Sequence, residues 1–199
     1  TIINLLFGTS SRVAFALDFR GPEVCVNSGC ASSLAAIHPA IASLRAKTCD
    51  VAFAGGANAI VRPEITQAMT QAGMLSTDGR CKFGDDSADG YVRSEGGGIV
   101  VLKRLSQAQA DGDRIRAVIR GSAINNNGLS SGFIKRPSEI AQSGVILGAL
   151  ADAGLSPADL QYIEAHGTGT TTGDLVELSA LSVAVGQGAR AVPCLVGSV

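Results

Sequence analysis

The stretch "EVCVNSGCASSLAAIHPAIASLRA", Glu23 to Ala46, decides how the chain is read. It opens on a β-like run, Glu23 to Val26, turns through Asn27-Ser28-Gly29, and continues from Cys30 to Ala46 in residues that favour a helix. Small apolar side chains surround that helix on all sides, through Ala31, Leu34, Ala35, Ala36, Ile37, Ala40, Ile41 and Leu44. A helix that is apolar all round is a buried one. Pro39 within it predicts a kink. From Val24 to Leu44 no residue is charged, a length that would span a bilayer on paper. Asn27, Ser28, Ser32, Ser33, His38, Pro39 and Ser43 interrupt it, so a buried strand followed by a buried helix is the better reading and no membrane span is predicted.

The same alternation continues outward. "VAFAGG" reads as a strand, Glu64 to Gln71 as a helix, "GIVVLKRL" and "IRAVIRGSAI" as strands and Ser138 to Ala153 as a helix. "LQYIEAHG" then reads as a strand, Asp174 to Val185 as a helix and "VPCLVGSV" as a strand. Strands alternating with helices predict an α/β layered fold, and runs apolar at successive positions predict a sheet covered on both faces. Gly154 closes one helix and Ser156-Pro157 opens the next segment.

The 199 residues are 46% apolar and 17% charged, the composition of a folded, core-rich chain. Sixteen basic and seventeen acidic residues leave a net charge of −1, and aromatics make up 4%. Without a basic block or a base-stacking platform, nucleic acid is excluded as an expected partner. Five cysteines (Cys25, Cys30, Cys49, Cys81 and Cys194) form neither a disulfide framework nor a CxxC pair, so no metal is expected and a reducing, cytoplasmic setting fits.

Two positions carry chemistry. Cys30 follows Gly29 at a strand-to-helix turn, where unsatisfied backbone N–H groups at a helix start favour a thiolate. The turn alone leaves a nucleophile and a small buried hydrophobe level. His38 is roughly 12 Å along the same helix and out of reach of the sulfur. His166 ends an apolar strand and opens "HGTGTTTGDLVE", in which Gly167 and Gly169 allow a close backbone turn and Thr168, Thr170, Thr171 and Thr172 supply hydroxyls. Phosphate binding is disfavoured there, because Gly173 is followed by Asp174 rather than by Lys-Ser/Thr. The glycines of "SEGGGIVVL" lead into a strand, so they form no dinucleotide fingerprint. A thiol and an imidazole at two strand ends point to a cysteine–histidine site.

Together these residues resemble the ketosynthase (β-ketoacyl synthase) domain of modular type I polyketide synthases. The likeness runs through "SRVAFALDFRGP", "VNSGCASSLAAIH", "CDVAFAGGAN", "AGMLSTDGRCKFGDDSADGYVRSEGGGIVVLKRL", "GDRIRAVIRGSAINNNG" and "EAHGTGTTTGDLVE". It implies a thiolase-like layered αβαβα fold, with residues 1–104 from the N-terminal half and 105–199 from the start of the C-terminal half. It implies Cys30 as acyl-carrying nucleophile, His166 as the first of two active-site histidines, and Thr168 and Thr170 as hydrogen-bond partners of the pantetheine amides. Asp174 and Glu177 match acidic positions that support the active-site loop, and a solvated or helix-capping role stands equally open for them.

The implied reaction is decarboxylative Claisen condensation of a Cys30-bound acyl chain with a malonyl-type carrier-protein thioester, in polyketide or fatty acid biosynthesis. The alternative is a non-elongating ketosynthase-like domain that transfers acyl chains or serves as a scaffold, and a cysteine hydrolase is a third. No bound cofactor is implied; phosphopantetheine arrives on a partner acyl carrier protein, which Arg80 or Lys82 could meet. A homodimer in the full-length parent is implied, with "EVCVNSG" near its interface.

Three departures accompany the likeness. Ser28-Gly29-Cys30-Ala31-Ser32 replaces the usual Thr-Ala-Cys-Ser-Ser, and "CKFGDD" differs from the usual Lys-x-Phe-Asp order. The Lys-x-Asn-x-Gly-His segment carrying the second histidine would follow Val199, so the 199 residues alone are expected not to complete condensation.

Overall fold

The computed structural model describes residues 8–130, 132–133, 136–186 and 192–198. Within these the chain forms two compact units, one taking in the chain up to Ala59 with Glu95–Val118, the other Ile60–Ser94 with the chain from Ile119 onward.

In the first unit, α1 (Gly8–Ala16) is followed by a single 3-10 turn at Gly29–Ala31 and then by α2 (Ser32–Arg45). β1 (Val51–Asn58) pairs antiparallel with β2 (Gly96–Lys103), in register from Val51 opposite Lys103 to Asn58 opposite Gly96. α2 packs on β1. The glycines make this packing close: a Cβ at Gly56 would stand 2.9 Å from the Cβ of Ser33, in the first turn of α2. Leu44 and Ala54 are buried, and Phe19 meets Phe53 edge to face at 4.9 Å. The far end of α2 is held by Arg104, just ahead of α4 (Leu105–Ala110). Its guanidinium donates to the carbonyls of Leu44 (3.2 Å) and Cys49 (2.8 Å) and to Asp50 (2.5 Å). Pro39 lies inside α2, which continues through it.

The second unit holds α3 (Pro63–Gln71), α5 (Glu139–Ala153), β3 (Tyr162–Glu164), α6 (Thr171–Val185) and β4 (Leu195–Gly197). α5 starts on Ser138, whose hydroxyl accepts from the N–H of Ala141 (3.2 Å), and ends on Gly154 at φ +64°. α5 packs on α6. Leu181, Ala184 and Val185 of α6 form a buried cluster with Ile146, Leu160 and Ile163. β3 pairs parallel with β4, Tyr162 opposite Leu195 and Glu164 opposite Gly197, with α6 supplying the crossover such a pair requires.

Several elements differ from expectation. Glu23–Val26 and Ile115–Ile124 are not strands, although their side chains favour one. A strand exists only where a second strand pairs with it, and neither segment takes part in a sheet among the described residues. Within the second unit, the end of the latter segment and the residue after it are held on α5: Ser122 donates its N–H to Asp152 (2.9 Å), and Asn125 donates its side-chain amide to the carbonyl of Ala141 (2.7 Å). α6 begins at Thr171, three residues before the expected start, because Thr170 caps it by accepting from the N–H of Gly173 (3.2 Å). α1 and α4, short and weakly patterned, were not legible in the sequence. Among the described residues no helix is long and apolar enough to cross a membrane.

Candidate active site

Cys30 sits in the 3-10 turn that leads into α2, with its side chain exposed. Gly29 before it adopts φ +63°, a left-handed backbone that turns the chain sharply and that a side chain would strain. Ser32 knits the turn: its hydroxyl donates to the carbonyl of Gly29 (2.6 Å) and accepts from the N–H of Ser28 (3.0 Å). The thiol therefore stands on an elbow ahead of a fourteen-residue helix, and the backbone dipoles of α2 point their positive end toward it.

The second unit gathers the other five residues. His166 lies two residues past β3, on a loop that two carboxylates of α6 hold by its backbone. Glu177 accepts from the N–H of His166 (2.7 Å) and from that of Gly167 (2.9 Å). Asp174, one turn earlier on the same helix face, accepts from the N–H of Gly169 (3.0 Å) with one oxygen and from that of Gly84 (3.0 Å) with the other. Asp174 is buried, so it is not a solvated charge, and each of its oxygens is occupied by a backbone donor. Thr168 and Thr170 share a hydroxyl–hydroxyl hydrogen bond at 3.0 Å. Since Thr170 also accepts from Gly173, one of the two hydroxyl protons is spent within the pair and the other can face a ligand.

The glycines of this loop are explained by what lies against them. Gly167 and Gly169 have φ +51° and +72°, and each faces the segment Cys81–Phe83. A Cβ at Gly169 would stand 2.7 Å from the backbone nitrogen of Lys82, and one at Gly167 would stand 3.1 Å from the ring of Phe83 and closer still to Ser198. Gly90 completes the seat by donating its N–H to the carbonyl of Gly169 (2.9 Å).

Lys82, read as a possible contact for a carrier protein, is engaged internally: it pairs with Asp78 (3.2 Å) and Asp89 (2.8 Å), and its side chain is only 18% exposed. Asp89 also accepts from the N–H (3.2 Å) and hydroxyl (2.6 Å) of Thr77. The hydrogen bond from Lys82, with those from Thr77, holds the Asp89 carboxyl far below the usual carboxylate range, and Asp89 in turn raises the Lys82 ammonium. Around His166 opens a cleft of about 250 Å³ lined also by Cys81, Phe83, Tyr91, Thr168 and Ser198. Cys81, Phe83 and Tyr91 were missed in the sequence, where they read as an irregular loop; the Sγ of Cys81 accepts from the N–H of Val92 (3.3 Å). The fold thus brings His166, Thr168, Thr170, Asp174 and Glu177 together in one unit and carries Cys30 in the other.

Residues 6–108 match the beta-ketoacyl synthase N-terminal domain and residues 116–199 the beta-ketoacyl synthase C-terminal domain. The chain belongs to the β-ketoacyl synthase family. A phenolphthiocerol/phthiocerol polyketide synthase polypeptide of Mycobacterium tuberculosis is 47% identical over 191 residues, 96% of this chain and 10% of that protein. A second polypeptide of the phenolphthiocerol/phthiocerol polyketide synthase of the same organism is also 47% identical over 191 residues, 96% of this chain and 12% of its own length. This β-ketoacyl synthase chain thus spans about a tenth of the length of those relatives.

Among solved structures, an oxazolomycin ketosynthase domain of Streptomyces albus superimposes with a TM-score of 0.93 at 45% identity, covering 98% of this chain and 35% of that one. The ketosynthase from module 6 of the bacillaene synthase of Bacillus subtilis also gives 0.93, at 38% identity, again covering 98% and 35%. The fold is the thiolase-like α/β fold of ketosynthase domains.

Proposed function

We propose that this chain carries the nucleophile and the first histidine of a polyketide-type ketosynthase, an acyltransferase that forms carbon–carbon bonds by decarboxylative Claisen condensation. The observation that carries the reading is the backbone clamp of Asp174 and Glu177, which presents His166 and the Thr168–Thr170 pair on one loop while leaving the imidazole exposed beside a cleft.

In the first stage the Cys30 thiolate attacks the thioester carbonyl of an acyl chain carried on a phosphopantetheine thiol. The new thioester forms at Sγ as the acyl carbon–sulfur bond to the carrier breaks, and the carrier leaves as a thiolate that takes up the proton Cys30 released on ionising. In the second, a malonyl-type thioester loses CO2, and the electron pair of the broken C–C bond becomes an enolate. A neutral His166 imidazole can donate its N–H to that enolate oxygen, a preorganised donor of the kind that contributes most to such barriers. The enolate carbon then attacks the Cys30 thioester and expels the thiolate, leaving a β-ketoacyl product on the carrier.

Thr168 and Thr170 would hold the pantetheine arm through the one hydroxyl proton their pair leaves free. Asp174 and Glu177 position the loop. The partners are an acyl carrier protein domain and its acyl and malonyl-type thioesters, in a homodimeric, cytoplasmic synthase. No cofactor is bound by the chain itself, the phosphopantetheine belonging to the carrier. The boundary between the N-terminal and C-terminal halves is placed near residue 104, a reading supported by family matches that end at 108 and resume at 116.

The test is to load the full-length parent with an acyl-carrier thioester and read the adduct by intact-protein mass. Cys30→Ala is expected to abolish loading. His166→Ala is expected to retain loading and lose the β-ketoacyl product. Acylation at another residue, or undiminished condensation by His166→Ala, would overturn the assignment, and a loaded parent that never condenses would establish the non-elongating alternative.

A further inference from the structure

The cleft beside His166 has an aromatic wall, Phe83, whose backbone is held on both sides by its neighbours. Phe83 is half-buried and packs against Gly167, the residue after His166, where a Cβ would stand 3.1 Å from its ring. On its N-terminal side Lys82 is tied to Asp78 (3.2 Å) and Asp89 (2.8 Å). On its C-terminal side the N–H of Gly84 is held by buried Asp174 (3.0 Å). The backbone that carries the ring therefore cannot withdraw without disturbing an ion pair on one side or a charge-assisted hydrogen bond on the other. Asp174 also holds Gly169, so the carboxylate that fixes the histidine loop fixes the backbone beside the ring as well.

We infer that Phe83 sets the width of the cleft beside His166 and makes it selective for an unbranched malonyl-type extender over a 2-methyl-branched one. The inference rests on the reading of His166 as the donor to the extender's thioester oxygen. The α-carbon is bonded to that carbonyl, so a substituent on it must find room in the same cleft. At about 250 Å³ the cleft is small, below the roughly 300–1,000 Å³ usual for ligand pockets. A single added methyl against a fixed apolar wall is worth about 10- to 200-fold in discrimination.

The experiment uses the full-length parent, with malonyl and 2-methylmalonyl thioesters on the same carrier protein competing for one acylated enzyme. The wild type is expected to favour malonyl by about tenfold or more. Phe83→Thr, and Phe83→Leu, which keeps an apolar contact with Gly167, are expected to bring the ratio to within about twofold. A wild type without preference, or a ratio unchanged in both variants, overturns the proposal.

Loading of Cys30 is read separately by intact mass. If the wild type loads but condenses neither extender, the functional reading fails on its own account. Phe83 is then judged by calorimetric binding of the malonyl and 2-methylmalonyl pantetheine amides. Equal affinity in the wild type sinks the proposal, and a preference that Phe83→Leu erases sustains it.

Discussion

Replacing Asp174 with Asn tests whether one buried carboxylate holds two distant segments of the chain together. Its two oxygens each accept a backbone N–H at 3.0 Å, from Gly84 and from Gly169. The substitution keeps the shape but changes the chemistry: an amide offers one acceptor oxygen and turns an NH2 donor toward the other N–H. One charge-assisted bond is lost outright, at about 1.5–3 kcal/mol, and the surviving one loses its charge. Local opening should therefore become about tenfold to hundredfold more frequent.

Hydrogen exchange followed by mass spectrometry, on peptides covering 82–90 and 165–172, reads this directly. Both are expected to lose protection together, while peptides from α5 stay unchanged. Glu177→Gln supplies the contrast, because Glu177 binds only His166 and Gly167 among the described donors; it should deprotect 165–172 and leave 82–90 intact. Unchanged exchange in Asp174→Asn, or loss spread evenly over the unit, would refute the clamp.

Three further outcomes follow from the same geometry. Arg104→Ala removes the donors to the carbonyls of Leu44 and Cys49 at the end of α2 and should lower stability by about 1–3 kcal/mol in urea denaturation; a change under about 0.5 would show those carbonyls to be satisfied by water. Gly29→Ala forces a side chain into φ +63° before Cys30, at about 1–2 kcal/mol in the same assay, and a stability equal to wild type would mean that the turn has another conformation. The Lys82–Asp89 pair has a defined pH window. Asp89 is depressed, so its contribution is present above the ordinary carboxylate value and lost as pH falls through its folded pKa; Lys82 is raised, so its contribution is present below the ordinary lysine value and lost as pH rises through its folded pKa. The amide of Thr77, bonded to Asp89, should therefore show no titration between about pH 4 and 10, and a transition near neutrality would contradict the pairing.

What could be read from the chain and what could not differ in kind. α2 was legible as a helix because its helix-forming residues are contiguous and a helix needs nothing beyond itself for its backbone hydrogen bonds, but the expected burial on all sides is not found: only Leu44 of it is buried, and Leu34 is exposed. α5 was legible because Ser138 and Gly154 punctuate it. Glu23–Val26 and Ile115–Ile124 have the side chains of strands but join no sheet among the described residues, and no local pattern reports whether a second strand will lie alongside. Lys82 reads as a surface charge in the sequence, since Asp78 and Asp89 become its partners only when the loop closes on itself.

The sequence by itself determined the chemistry available: a thiol after Gly29, an imidazole at the end of an apolar strand, hydroxyls at 168 and 170, and carboxylates three residues apart on one helix. Residue type and short spacing suffice for that, because an elbow and a helix face are local geometry. Tertiary structure alone decided how these groups are held. It set Gly84, 90 residues away, on Asp174, laid Cys81–Phe83 across Gly167 and Gly169, and built the wall of the cleft from a segment with no periodic signal. Contacts between segments so far apart in the chain depend on how whole elements pack, and no short stretch of residues carries that information.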